Sequence, residues 1–293
     1  MDNIKALFVI NPKSGVKKKL NIPDIIAKTI GTAIDYKIIF WEFKDQDISE
    51  IIRNYIKNEN YNTVVAVGGD GTVNKIASVL INTNIAFGII PMGSGNGLAR
   101  HLKIPLTITK AIQLIIRGKN INIDSCAINN QPFFCTSGIG FDAQVGELFA
   151  HTKKRGFINY VKIILSLYKS YKPEEYLLEI NDKIINVKAF LITFANANQW
   201  GNNAIIAPYA DIQDGKINIT IIKPFKFYNA LAIVFRLYNK TIIHSPFAEN
   251  YNAQNIKVLK RNSKVIHYDG EPCHADENLT INILPNSLKI IVP

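Results

Sequence analysis

A run of apolar residues, Val64-Val65-Ala66-Val67, leads without a break into Gly68-Gly69-Asp70-Gly71-Thr72-Val73-Asn74. The glycines let the backbone come close to a ligand and expose its N–H groups. The helical pattern that follows makes Thr72 the expected N-cap. Free N–H groups at a helix start form an anion site, and phosphate is the usual anion. Asp70 alone would repel phosphate, but it is well chosen if Mg²⁺ lies between them. The competing reading is an ordinary turn. A second turn has the same character: Ile89-Ile90-Pro91-Met92-Gly93-Ser94-Gly95-Asn96-Gly97-Leu98-Ala99-Arg100. Two such loops at the ends of parallel strands face one crevice. Neither has the spacing of a dinucleotide fingerprint, and neither ends in the Gly-Lys-Ser/Thr of a P-loop.

Near the other end of the chain, Asp269-Gly270-Glu271 offers a carboxylate directly after a good turn dipeptide. Taken by itself Glu271 is a turn residue or a base for a hydroxyl. His267, Cys273 and His274 lie close by, but they lack the paired spacing and fourth partner of a zinc site.

These residues need elements to hold them. From residue 1 to about 122, strand and helix patterns alternate: Lys5–Ile10, Tyr36–Trp41, Thr63–Val67 and Ala86–Ile90 as strands; Ile22–Thr29, Ile48–Lys57, Val73–Leu80 and Thr109–Ile116 as helices. That is an α/β domain with a mostly parallel sheet, and it carries both glycine loops. From 123 to 284 strands follow one another, broken by helices near Gly156–Tyr171 and Tyr228–Tyr238. This is a β-rich second domain, and the length suits two domains.

The net charge is +11, which attracts polyanions. No nucleic-acid module is readable. Three cysteines, an odd number, favour a reducing compartment. The apolar stretch at residues 6–10 is too short for a signal peptide, and no stretch reaches the ~18 apolar residues of a spanning helix. The expectation is a cytoplasmic protein, with any membrane contact peripheral.

Taken together, the Gly68–Thr72 turn and Pro91-x-Gly-Ser-Gly-Asn96 resemble the catalytic domain of diacylglycerol and sphingosine kinases, in particular the soluble bacterial lipid kinases. The resemblance runs through nearly the whole chain. It includes Asn11-Pro12-Lys13-Ser14-Gly15, Gly138-Ile139-Gly140-Phe141-Asp142-Ala143, Ala207-Pro208 with Asp211 to Gly215, and Asp269-Gly270-Glu271. It implies a sandwich-like second domain, with the last strand, about 285–293, returning to the first. It implies an ATP-dependent lipid kinase using Mg²⁺. Its nucleotide contacts would be Asn11, Pro12, Lys13, Ser14, Gly15, Gly68, Gly69, Asp70, Gly71, Thr72, Asn74, Gly93, Ser94, Gly95 and Asn96. Glu271 would be the general base, and Asp70 would help hold the catalytic Mg²⁺. A structural Mg²⁺ would sit at Asp211, Asp214 and the carbonyl of Lys216. Two departures stand out: Gly97 replaces an aspartate, and Phe40 replaces a nucleotide-contacting threonine. A kinase of a soluble substrate, resembling NAD kinases, and a non-catalytic regulator remain as alternatives, and a homodimer stays open.

A lipid substrate asks for a membrane-facing surface. His151–Lys172 has Lys153, Lys154, Arg155, Lys162, Lys169 and Lys172, no acid, and many aromatic and aliphatic residues. That composition suits the plane of an anionic membrane. Lys223–Lys240 also lacks acids and carries Phe225, Phe227 and Tyr228.

Overall fold

The computed structural model describes residues 4–13, 20–42, 47–152, 157–276 and 278–293. Ser14, Gly15, Lys153, Lys154 and Arg155 therefore lie outside the described residues. The chain divides into two compact units, Met1–Ile123 with Asn286–Pro293, and Asp124–Pro285.

The first unit alternates β1 (Lys5–Ile10), α1 (Ile22–Ile30), β2 (Asp35–Phe40), α2 (Ile48–Glu59), β3 (Thr63–Gly68), α3 (Asp70–Leu80), β4 (Ala86–Pro91), α4 (Gly97–His101) and α5 (Ile108–Arg117). β3 and β4 are buried at every position, as unbroken apolar strands covered on both faces must be. The helix starts are set locally. Asp47 accepts the N–H groups of Ser49 and Glu50 ahead of α2, and Asn21 caps α1. The strands pair in parallel in the order β2, β1, β3, β4. The chain thus leaves β1 toward β2 on one side and reaches β3 on the other. That reversal is a topological switch point, where open α/β sheets bind ligands beyond the strand ends. Asn11 follows β1 there, and Gly69 follows β3.

The second unit contains the end of β5 (Lys119–Ile128), β6 (Gln131–Phe133), β7 (Thr136–Gly140), α6 (Phe141–Ala150), α7 (Phe157–Ser170), β8 (Glu174–Ile180), β9 (Lys183–Ala189), β10 (Leu191–Ala195), β11 (Ile217–Ile222), α8 (Ala230–Tyr238), β12 (Ala248–Ala253), β13 (Asn255–Lys260), β14 (Val265–Tyr268), β15 (Glu271–His274) and the start of β16 (Leu279–Val292). One antiparallel sheet runs β12, β11, β10, β7, β14, β15; β9, β8, β13 and the start of β16 form a second antiparallel run. Tyr176, Leu178, Val258 and Ile281 from the second pack with Ile139, Ile192, Phe194 and Ile219 from the first in one core, the geometry of a sandwich. The end of β16 pairs with β4 in the first unit, Ile290 opposite Phe87.

Some boundaries differ from the sequence reading. Ile184–Asn196 is two strands parted at Phe190, whose carbonyl accepts from Phe141 N and Tyr171 Oη. α6 was not expected, because Gly146 interrupts its apolar pattern. Ile163, Ile164, Leu167 and Tyr168 of α7, with Tyr171 just after it, are partly buried against the cluster around Phe141 and Phe190. Lys162 and Lys169 remain exposed. Leu165 of the same helix is 47% exposed.

Candidate active site

In the first unit the two glycine loops touch. A Cβ on Gly93 would lie 2.8 Å from Gly69 Cα, and one on Gly68 would lie 2.5 Å from Thr72 Cβ. Only glycine permits this approach. Asp70 ties the loops together: Gly97 N donates to its Oδ1 at 2.8 Å and Asn96 N to its Oδ2 at 2.9 Å. Asn96 is held in the left-handed region, φ 50°, and closes its own loop. Its Oδ1 accepts from Gly93 N at 3.0 Å, and its Nδ2 donates to Gly93 O at 2.8 Å. Asp70 is half-buried. Burial pushes its carboxyl up from its ordinary value, against the pull of the Gly97 and Asn96 N–H groups.

Thr72 is not the N-cap. α3 begins at Asp70, Gly69 is the capping residue without a side chain, and Thr72 lies inside the first turn. Its Oγ1 instead accepts from Asn11 Nδ2 at 3.0 Å, joining the end of β1 to the start of α3 across the switch point. Asn11 Oδ1 accepts from Lys13 N at 3.0 Å, which orients the exposed Pro12-Lys13 turn. Asn74 is buried in α3, while Ser94 is exposed at the tip of its loop. This arrangement offers a helix N-terminus, a close glycine approach and a cation-seeking carboxylate in one crevice, which suits a polyphosphate.

In the second unit Glu271 opens β15, exposed, directly after a tight turn with Asp269 at φ 47° and Gly270 at φ 84°. Both residues lie in the left-handed region, as a two-residue hairpin of this hand requires. Asp269, read in the sequence as part of a turn dipeptide, also anchors the turn through its side chain. Its Oδ1 accepts from Cys135 N at 2.8 Å and Thr136 N at 3.1 Å, and its Oδ2 from Phe134 N at 2.9 Å. Asp142 and His267 form a second missed element, with Oδ2 and Nε2 3.0 Å apart in a buried pair. A Cβ on Gly138 would lie 2.5 Å from that oxygen and 2.6 Å from that nitrogen. Gly138, read in the sequence only as part of a motif, therefore makes room for the pair. Their separation in sequence, 125 positions, hides them from any local pattern.

Asp211, Asp214 and Lys216 share one exposed turn. Gln213 N donates to Asp211 Oδ1, Lys216 N to Asp214 Oδ1, and Gly215 N to Oδ2 of the buried Asp124. Burial pushes the Asp214 carboxyl up, and the charges of Asp211 and Asp124 add to this. A cation would relieve that crowding, and the donors are hard oxygens of the kind Mg²⁺ takes. Among the described residues no group of three His, Cys, Asp or Glu side chains is placed to hold a metal ion. A cation here would draw on one carboxylate and main-chain carbonyls, as the resemblance implies. Near Glu271, His267 pairs with Asp142 and His274 with Glu147.

A model of the diacylglycerol kinase catalytic domain matches residues 5–128. One described as the YegS C-terminal NAD kinase beta sandwich-like domain matches residues 136–292. The chain belongs to the diacylglycerol kinase-like lipid kinase family. A Synechocystis sp. protein described as uncharacterized is 29% identical over 305 residues, spanning 98% of this chain and 70% of the relative. A probable lipid kinase named YegS, from Escherichia fergusonii, is 26% identical over 300 residues, spanning 98% of this chain and 96% of its own. A solved diacylglycerol kinase from Bacillus anthracis str. Sterne shares the fold with a TM-score of 0.75 at 18% identity, covering 100% of this chain and 98% of that one. Another chain from that organism reaches 0.80 at 20% identity, with the same coverage. The kinase is thus a phosphotransferase of this family, an α/β domain followed by a β-sandwich-like domain. No helix among its described residues is long and apolar enough to cross a membrane.

Proposed function

We propose that this kinase transfers the γ-phosphate of ATP to the alcohol of a membrane lipid. The observation that carries the reading is the pair of glycine loops drawn together by Asp70 at the switch point. The N–H groups of Gly69, Asp70, Gly71 and Thr72 serve the phosphates and take up charge as the phosphoryl group moves. Asn11, Pro12, Lys13, Asn74, Gly93, Ser94, Gly95 and Asn96 complete the nucleotide site, with Ser14 and Gly15 beyond Lys13. The carboxylate of Glu271 accepts the proton of the lipid hydroxyl, which is otherwise a poor nucleophile. Asp70 holds Mg²⁺, directly or through water: each of its oxygens accepts one N–H and retains a second lone pair. When bound, that ion neutralises charge on the phosphates. The relatives named as lipid and diacylglycerol kinases support a lipid acceptor.

The test is radiolabelled ATP with diacylglycerol, monoacylglycerol, phosphatidylglycerol, sphingoid bases and ceramide, and with NAD as a soluble acceptor. Label in a lipid is the expected result. Label in NAD alone would replace the lipid reading with that of a soluble-substrate kinase, which the description of the second matching model keeps in view.

The Asp211–Lys216 turn is proposed as a second Mg²⁺ site. Mg²⁺ without nucleotide then raises Tm, by about 2–4 °C for each kcal/mol of linkage. Asp214→Ala removes that increment. An equal rise in both proteins, read by calorimetry, places the ion elsewhere.

A further inference from the structure

α8 leaves most of its large apolar side chains outside. Only Ile233 and Leu237 of α8 are buried, each 8% exposed. Leu231 is 80% exposed and Phe235 67%; just ahead of the helix, Phe227 is 61% and Tyr228 71% exposed. Val234 and Tyr238 continue the same row. The spacing, 227, 228, 231, 234, 235, 238, is that of one helical stripe. Nothing in the folding of the unit needs these side chains outside. A contiguous apolar patch left in water on a monomeric surface marks an interaction site.

The surroundings of the stripe indicate its partner. Between Lys223 and Lys240 the cations are Lys223, Lys226, Arg236 and Lys240, with no acid among them. Lys226 and Lys240 are exposed; Lys223 is paired with Glu249. A protein partner that buried this rim would have to match those cations with acids, and a second copy of this chain carries the net charge of +11 instead. An anionic bilayer matches both features at once. Aromatic and aliphatic side chains enter the headgroup boundary while lysines meet the phosphates. Beside the stripe lies a hollow of ≈ 460 Å³, lined by Pro224, Phe225, Lys226, Tyr228, Asn229 and Phe247. Its apolar floor with an ammonium at the rim is suited to part of a lipid rather than to a polar peptide.

We propose that the outer face of α8, with Phe227 and Tyr228, is the surface by which this kinase docks on an anionic lipid bilayer. The inference rests on the lipid-kinase reading for its purpose, but its test does not. Flotation is measured with vesicles of phosphatidylserine in phosphatidylcholine, without nucleotide, because neither headgroup offers an alcohol to phosphorylate. The wild type is expected to float with these vesicles, to bind less at high salt, and to bind phosphatidylcholine vesicles more weakly. The double variant Leu231→Ser, Phe235→Ser loses at least about tenfold in vesicle affinity, since two large anchors are removed. Both positions are exposed, so Tm holds, and thermal unfolding verifies it. Lys226→Gln with Lys240→Gln weakens binding to the anionic vesicles only.

Failure of the wild type to bind overturns the proposal, as does binding by the double variant equal to wild type. A wild-type dimer that the double variant dissociates, with vesicle binding unchanged, overturns it in favour of a contact between copies. Vesicle binding that depends on this face, together with transfer of phosphate only to a soluble acceptor, leaves the docking surface standing and removes the lipid-kinase reading.

Discussion

Glu271→Gln is expected to lower the turnover number by ~10²–10⁴, the range that a positioned general base contributes. ATP affinity should stay within a few-fold, because the residue acts on the acceptor hydroxyl. The substitution keeps size and shape at an exposed position, so stability should change by less than about 0.5 kcal/mol. The frame around it does not depend on the Glu271 carboxylate. Asp269 holds the turn by accepting the N–H groups of Phe134, Cys135 and Thr136, and Tyr268 pairs with residue 271 through the backbone ladder. Steady-state turnover on the preferred lipid and an equilibrium titration with nucleotide check the two halves of the expectation. Asp269→Ala is the contrasting case: it leaves three backbone donors without their carboxylate and should lower Tm as well as activity. If Glu271→Gln weakens nucleotide binding strongly while turnover stays high, the residue is a metal or structural group and not the base.

The parallel sheet of the first unit was legible because its strands are apolar on both faces and its helices carry 3.6-residue periodicity. β3 and β4 hold no exposed residue to blur the signal. The sandwich was harder to read, for reasons that individual strands make plain. β12 (Ala-Glu-Asn-Tyr-Asn-Ala) and β15 (Glu-Pro-Cys-His) went unread, and they are the two edges of their sheet. An edge strand needs little apolar surface and tolerates Pro272, which would break a central strand. The functional positions divide in the same way. Gly68–Thr72 and Gly93–Asn96 were visible because a phosphate cradle is local in sequence. The tasks of Asp269, Gly138 and the Asp142–His267 pair were not, because each depends on residues more than a hundred positions away. The capping role given to Thr72 failed for a local reason. Asp70 takes the first helical position, so Thr72 falls inside the first turn, where its hydroxyl meets Asn11 instead.

Asp70→Asn is expected to reduce turnover by at least ~100-fold, the scale of a preorganised electrostatic group, while changing stability little. Two opposing terms set the second half of that expectation. An amide has one acceptor oxygen where the carboxylate has two, so either Asn96 N or Gly97 N loses its partner, which costs about 1–3 kcal/mol. Against this, the charge that burial disfavours is gone. The sign can be checked through pH. Because the folded-state pKa of Asp70 is raised, the folded protein favours the protonated carboxyl. The stabilising contribution is complete below the unfolded pKa and is lost as pH rises through the folded one. Wild-type stability without nucleotide or Mg²⁺ should therefore fall relative to that of the variant as pH climbs out of the ordinary carboxylate range. The two should lie within about 1 kcal/mol at neutral pH, where the desolvation relieved offsets the hydrogen bond lost. Added Mg²⁺ with nucleotide should restore the wild-type advantage, since the cation favours the ionised carboxylate that the variant lacks. Thermal unfolding across pH, with and without Mg²⁺–ATP, reads these differences directly. Normal turnover in Asp70→Asn, or an equal response of both proteins to Mg²⁺–ATP, would reduce Asp70 to a clamp between two loops.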